Sequence, residues 1–145
     1  MNTLSNFSIR LKELLEEKEL NPPMLAQIVN TDRTNITRYL RGERLPSFET
    51  FINLINYFEC SADFILGLTE HEEIRFKPCP LFSERFQFLL QYYKISKYKL
   101  SRDCKIPESV VYRWRDGKCF PTVENLVKLA KYFDCTVDFI LGRES

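Results

Sequence analysis

A single histidine, His71, and four glycines occur in the 145 residues, and no two cysteines stand in a C-x-x-C pair. A metal site needs several converging ligands, usually supplied in close pairs. His71 and the scattered Cys60, Cys79, Cys104, Cys119 and Cys135 do not supply one, so no metal is expected and the cysteines read as small buried hydrophobes. No nucleophile–base pair and no phosphate-cradling glycine loop is recognisable, which leaves no catalytic residue to name, no enzyme and no cofactor to expect. Scarce glycine also argues against a turn-rich sheet. Long apolar runs are missing too. FINLINYF, residues 51–58, is short and broken by Asn53 and Asn56, far from the roughly 20 apolar residues of a membrane span. The opening MNTLSNFSIR lacks the charged start and apolar run of a signal peptide. No membrane partner and a cytoplasmic location are expected.

What is present is the balance of a globular chain, 44% hydrophobic and 28% charged, with a net charge of only +1. The charge is unevenly placed. Residues 1–70 carry 7 Lys/Arg against 10 Asp/Glu, and residues 71–145 carry 14 against 10.

The sequence also repeats itself. A shift of 75 residues lays Phe7–Gly67 on Phe82–Gly142 without a gap, with 19 of 61 positions identical. YFECSADFILG answers YFDCTVDFILG, and Gly42, Pro46 and Cys60 fall on Gly117, Pro121 and Cys135. The domains are therefore expected at 1–67 and 82–145. Between them 68–81, LTEHEEIRFKPCPL, reads as a linker, charged and interrupted by two prolines. Fully extended it reaches at most about 46 Å.

Apolar spacing within the first unit is helical. Ile9, Leu11, Leu14, Leu15 and Leu20 mark a first helix with Glu13, Glu16 and Glu17 outside. Asn21 before Pro22 and Pro23 starts a second, carrying Met24, Leu25, Ile28 and Val29 and ending at Asn30. Asp32 caps a third that runs to about Arg41 and stops at Gly42. Ser47 opens a fourth through Phe58, and Ser61 a short fifth, Ala62–Leu66. Five helices in about 60 residues leave no room for a sheet.

The stretch MLAQIVNTDRTNITRYLRGERLPSFET, Met24–Thr50, followed by the Tyr-Phe-x-x-Ser-x-Asp ending, resembles the phage-repressor-like (lambda repressor and Cro-like, XRE-type) helix-turn-helix family. The resemblance covers both repeats. It implies an all-α chain of two tandem five-helix lambda-repressor-like DNA-binding domains. In it Ala26 and Ser101 pack on helix three, Thr31 and Ile106 occupy the turn, and Ile36/Val111 and Tyr39/Trp114 belong to the core. It further implies sequence-specific binding of double-stranded DNA by a bacterial or phage-type transcriptional regulator, a repressor, with helix three of each repeat in the major groove. The competing reading is a protein-interaction module, an antitoxin-type or anti-repressor partner, in which at least one repeat has lost DNA reading.

Carried over position by position, the groove-facing set is Arg33, Thr34, Asn35, Thr37 and Arg38 in the first repeat. Arg41 and Arg44 stand where phosphates are met. The second repeat offers Glu108, Ser109, Val110, Tyr112 and Arg113, with Lys97, Lys99 and Lys118 at phosphate positions. Arginine bonds guanine, asparagine adenine, and glutamate accepts from cytosine. One further pair stands out. Phe88 and Tyr92 replace Glu13 and Glu17 on the outer face of the first helix of repeat two, and aromatics on a face that is charged in the sister domain imply a cover. They are expected at an interface, packed against the first repeat, the linker or a second chain, in a homodimer or an intrachain pairing of the domains.

Overall fold

The computed structural model describes residues 2–71 and 76–144, and among these residues it contains ten helices and no strand. Two compact units result, Met1–Arg75 and Phe76–Ser145. The first holds α1 (Thr3–Glu17), α2 (Pro22–Ile28), α3 (Arg33–Leu40), α4 (Phe48–Phe58) and α5 (Ala62–Ile65). The second repeats the order with α6 (Phe82–Tyr92), α7 (Lys97–Cys104), α8 (Glu108–Arg115), α9 (Val123–Phe133) and α10 (Val137–Leu141).

Polar caps set these boundaries. The Asn21 side chain accepts from the Met24 amide at 2.9 Å and starts α2 just before its two prolines, whose missing amides cost nothing in the first turn. Ser47, Ser61, Ser96, Thr122 and Thr136 do the same for α4, α5, α7, α9 and α10. Asp32 occupies the cap of α3 but its side chain makes no capping bond. Gly42 and Gly117, at φ +71° and +74°, end α3 and α8 in the left-handed conformation that glycine adopts without strain.

Each unit closes around one apolar core. In the first, Phe7, Leu11, Leu25, Ile36, Tyr39, Phe51, Leu54, Ile55 and Ile65 are buried. In the second the core is Phe86, Leu89, Leu100, Val111, Trp114, Leu126, Leu129 and Ile140. Trp114 stands edge-on to Phe82 and Phe86, as Tyr39 does to Phe7. Three apolar residues expected inside lie outside. Ile9, Met24 and Ile28 are 41%, 45% and 43% exposed. Helix α1 starts early enough for Phe7 to take the core position, and Ile9, two residues from both Phe7 and Leu11, turns to the far side. Met24 and Ile28 each precede the buried Leu25 and Val29 by one residue, and one residue is about 100° of helix.

An arginine fastens the ends of each unit. Arg10 on α1 donates to the carbonyls of Phe64 and Thr69 and lies over the Phe64 ring, 4.0 Å from its centroid. Its counterpart Arg85 donates to the Phe139 carbonyl at 2.6 Å and lies over both Phe139 and Phe88. The described ends of the 68–81 segment are drawn into the units. Arg10 pairs with Glu70 at 3.1 Å. On the other side Lys77 donates its amide to the Arg143 carbonyl at 2.9 Å, and the Arg143 guanidinium covers Phe76. Residues 72–75 of that segment lie outside the described residues.

Candidate nucleic-acid interface

In the first unit the α2–α3 turn is made by Asn30 at φ 57°, and the Thr31 amide closes it on the Ala26 carbonyl at 2.9 Å. Burial of Ile36 and Tyr39 then decides which side of α3 faces outward. Arg33, Thr34 and Arg38 are exposed, and Asn35 and Thr37 are half-buried. Asn35 is held from both ends. Its amide donates to Thr31 Oγ1 at 3.0 Å, and its Oδ1 accepts from Arg44 at 3.4 Å. Burial pushes the Tyr39 phenol up, opposed by Arg44 and by the nearby Thr31 and Thr50 hydroxyls. The Thr37 hydroxyl donates back to the Arg33 carbonyl at 3.2 Å, which leaves its methyl and its acceptor lone pairs on offer. Arg41 stands 4.0 Å from Glu43, both largely exposed, a contact worth little.

The second unit builds the same frame with different chemistry. Lys105, at φ 56°, makes the turn, and the Ser101 hydroxyl that replaces a methyl is satisfied inside by the Ile106 carbonyl at 2.5 Å. Val111 and Trp114 face inward. Glu108, Ser109, Tyr112, Arg113 and Lys118 are exposed and Val110 is half-buried. The Glu108 carboxylate, one turn back on α8, holds the Tyr112 phenol above its ordinary range. Two cations lie over its ring, Lys97 Nζ at 5.4 Å and Arg115 Cζ at 5.6 Å from the centroid. Lys99 is engaged elsewhere, 3.3 Å from Asp103.

The expected site residues thus fall into groups. Asn35 and Arg44 meet, as do Glu108, Tyr112 and Lys97. Arg38 and Arg113, at equivalent positions, reach no acidic group among the described residues. Thr31 and Arg115 join these groups although neither was among the expected residues. Phe88 and Tyr92 lie on α6, stacked with centroids 5.5 Å apart, and Tyr92 also meets Phe139 at 5.7 Å. They still expose 43% and 58% of their surface.

Comparison with known proteins places this geometry. Residues 11–65 match the helix-turn-helix family model, and residues 85–144 match the Cro/C1-type HTH DNA-binding domain. A Rickettsia prowazekii (strain Madrid E) protein named as an uncharacterized HTH-type transcriptional regulator, RP766, is 30% identical over 70 residues, 43% of this chain and 76% of its own length. This chain belongs to the Cro/C1-type helix-turn-helix DNA-binding family. A Bacillus subtilis (strain 168) protein named as an uncharacterized HTH-type transcriptional regulator, YqaE, is 31% identical over 68 residues, 47% of this chain. The match spans only 59% of the length of that Bacillus relative. No solved structure matches. Both units carry the helix-turn-helix, α2–α3 in the first and α7–α8 in the second. Among the described residues no helix is long and apolar enough to cross a membrane, and no group of three or more His, Cys, Asp and Glu converges as metal ligands would.

Proposed function

We propose that this Cro/C1-type chain is a sequence-specific, double-stranded-DNA-binding transcriptional regulator that acts as a repressor, with α3 and α8 as its reading helices in the major groove. The observation that carries the reading is the division of α3: Ile36 and Tyr39 buried, Arg33, Thr34 and Arg38 exposed, and Arg41 and Arg44 following at the exit. That is the arrangement a major-groove reader needs, with base-edge donors on the helix and phosphate-binding cations at its ends. Binding alone suffices for repression, since a protein seated on a promoter excludes others from that DNA. Two reading helices in one chain favour a bipartite site, and Arg33–Arg38 differ enough from Glu108–Arg113 to make its halves unlike.

A protein-interaction role for the second unit has one observation in its favour, the acidic Glu108 at the head of α8, which repels phosphate. One experiment separates the readings. Fragments selected from random DNA by the purified chain are footprinted. Two protected segments are expected, by analogy with dimeric relatives about 34–36 Å apart. A single short protected segment per chain refutes the bipartite site, and binding indifferent to salt removes DNA as the partner.

A further inference from the structure

From the heads of the two reading helices we infer that Glu108 makes the second unit a cytosine reader, so that the units select the same G·C base pair with its strands exchanged. The inference rests on the DNA-binding reading above.

The 75-residue repeat places Arg33 and Glu108 at one structural position, the first residue of α3 and of α8. In the major groove guanine presents two acceptors, N7 and O6, which suit arginine, whereas cytosine presents the N4 amino group, which suits a carboxylate. Guanine and cytosine are the two members of one pair. A reader that keeps its place but changes from donor to acceptor therefore moves its preferred partner to the opposite strand. Adenine also has an amino group there, but its N7 acceptor lies beside it and repels the second carboxylate oxygen; cytosine has no acceptor at that edge.

A bare glutamate on this face would be turned away by the phosphates. Here Tyr112 stands one turn along α8, and the nearby carboxylate pushes its phenol up. Lys97 and Arg115 each lie over the Tyr112 ring, 5.4 and 5.6 Å from its centroid, and bring positive charge to this face. A carboxylate has about four acceptor positions, so a neighbouring phenol leaves capacity for an amino group. The first unit has no such phenol; Thr37, at the equivalent position, donates its hydroxyl to the Arg33 carbonyl.

The test uses the full chain and its own selected site, with every single base-pair change in the half covered by the second unit. Wild-type protein is expected to prefer cytosine at one position by about tenfold or more. Glu108→Gln should move that preference to adenine, because an amide bonds adenine N6 and N7 together. The same variant should bind unselected DNA more tightly and with a steeper salt dependence, one repelling charge having gone. Tyr112→Phe should keep cytosine with weaker discrimination. If no position prefers cytosine, or if the preference survives Glu108→Gln, the inference falls and DNA binding stands. A uniform loss of affinity in Glu108→Gln without a change of base also overturns it, because it shows a structural role. Should the second unit protect no DNA while the first does, the reader and the DNA role of that unit fall together.

Discussion

Lys99 Nζ lies 3.3 Å from Asp103 Oδ2, one turn along α7, and the same oxygen accepts the Tyr132 hydroxyl at 2.6 Å. If Lys99 faces a phosphate, as we propose, its charge is already shared. Five phosphate-facing cations, Arg41, Arg44, Lys97, Lys99 and Lys118, would give a slope of log K against log salt near about −4.5. With Lys99 engaged, a slope nearer about −3.6 is expected. Asp103→Asn should steepen it by up to about one unit, and Lys97→Ala should flatten it by about one. Equal slopes for wild type and Asp103→Asn would show that the pair does not compete with phosphate.

Arg38 has no acidic partner among the described residues, whereas Asn35 is held by Thr31 and Arg44. Arg38→Ala is expected to lose about 1–3 kcal/mol at one preferred base pair and little elsewhere. Thr31→Val should free the Asn35 amide and weaken discrimination at a different base pair. Anisotropy titrations over single-substitution operators read both effects; a loss spread evenly over all sequences would mean that Arg38 touches phosphate instead.

Two phenols of the second unit are pushed up to about 12. For Tyr132 the main cause is its hydrogen bond to Asp103, and for Tyr93 it is burial. Their unfolded value is about 10. The neutral phenol is the form the fold favours, so this contribution is fully present below pH ~10 and is lost as pH rises toward ~12. Alkaline absorbance titration should show these two tyrosines ionising last. Thermal midpoints should fall across that window, less steeply in Tyr132→Phe. Ionisation of all seven tyrosines in one step near pH 10 would contradict the assignment.

Arg143 and Asp138 form an ion pair at 2.6 Å, 3% and 2% exposed. Removing one member of a buried pair strands the other charge at a cost of about 3–5 kcal/mol. Arg143→Ala is expected to cost the second unit about that much while the first unit, with Leu68 at the equivalent position, is unaffected. Calorimetry should then resolve an early transition; an unchanged profile would mean that water reaches Asp138.

Phe88 and Tyr92 remain exposed although they stack on each other and Tyr92 also meets Phe139. We expect this face to be covered by the first unit or by a second copy of the chain. Changing both to glutamate, the residues of the first repeat, should loosen that pairing at unchanged helix content. The change also removes a ring contact of about 0.5–1.5 kcal/mol inside the unit, so solution mass and operator affinity, rather than melting temperature, decide. If neither moves, the face is a solvated one.

Much of the fold was legible because caps, turn residues and helical spacing agree in two copies. Asn21, Ser47, Ser61, Gly42 and Gly117 each do locally what their chemistry favours. Helix phase was less legible. Ile9, Met24 and Ile28 are apolar and look internal, but Phe7 outcompetes Ile9 for the core and a single-residue offset puts the other two outside. The Arg10 and Arg85 clamps left a trace only as an identity between the repeats, since their acceptors are backbone carbonyls, which every residue carries. The Lys99–Asp103 spacing is visible in the chain, yet its coupling to Tyr132 on α9 joins residues 29 apart and needs the fold. The proposed reading residues follow from position on α3 and α8; which of them are tied to neighbours, as Asn35 is, does not.

Trp114 is the single tryptophan, 1% exposed, set edge-on to the stacked Phe82 and Phe86 with an indole N–H that finds no acceptor among the described residues. Tyr39 fills the corresponding place in the first unit. The chain thereby carries an intrinsic optical label on one half only. Indole emission in a denaturant series follows the second unit alone, while far-ultraviolet dichroism sums both. The difference between the two curves isolates the first unit, so the stabilities of two domains with the same helix order can be separated in one sample without cutting or labelling the protein.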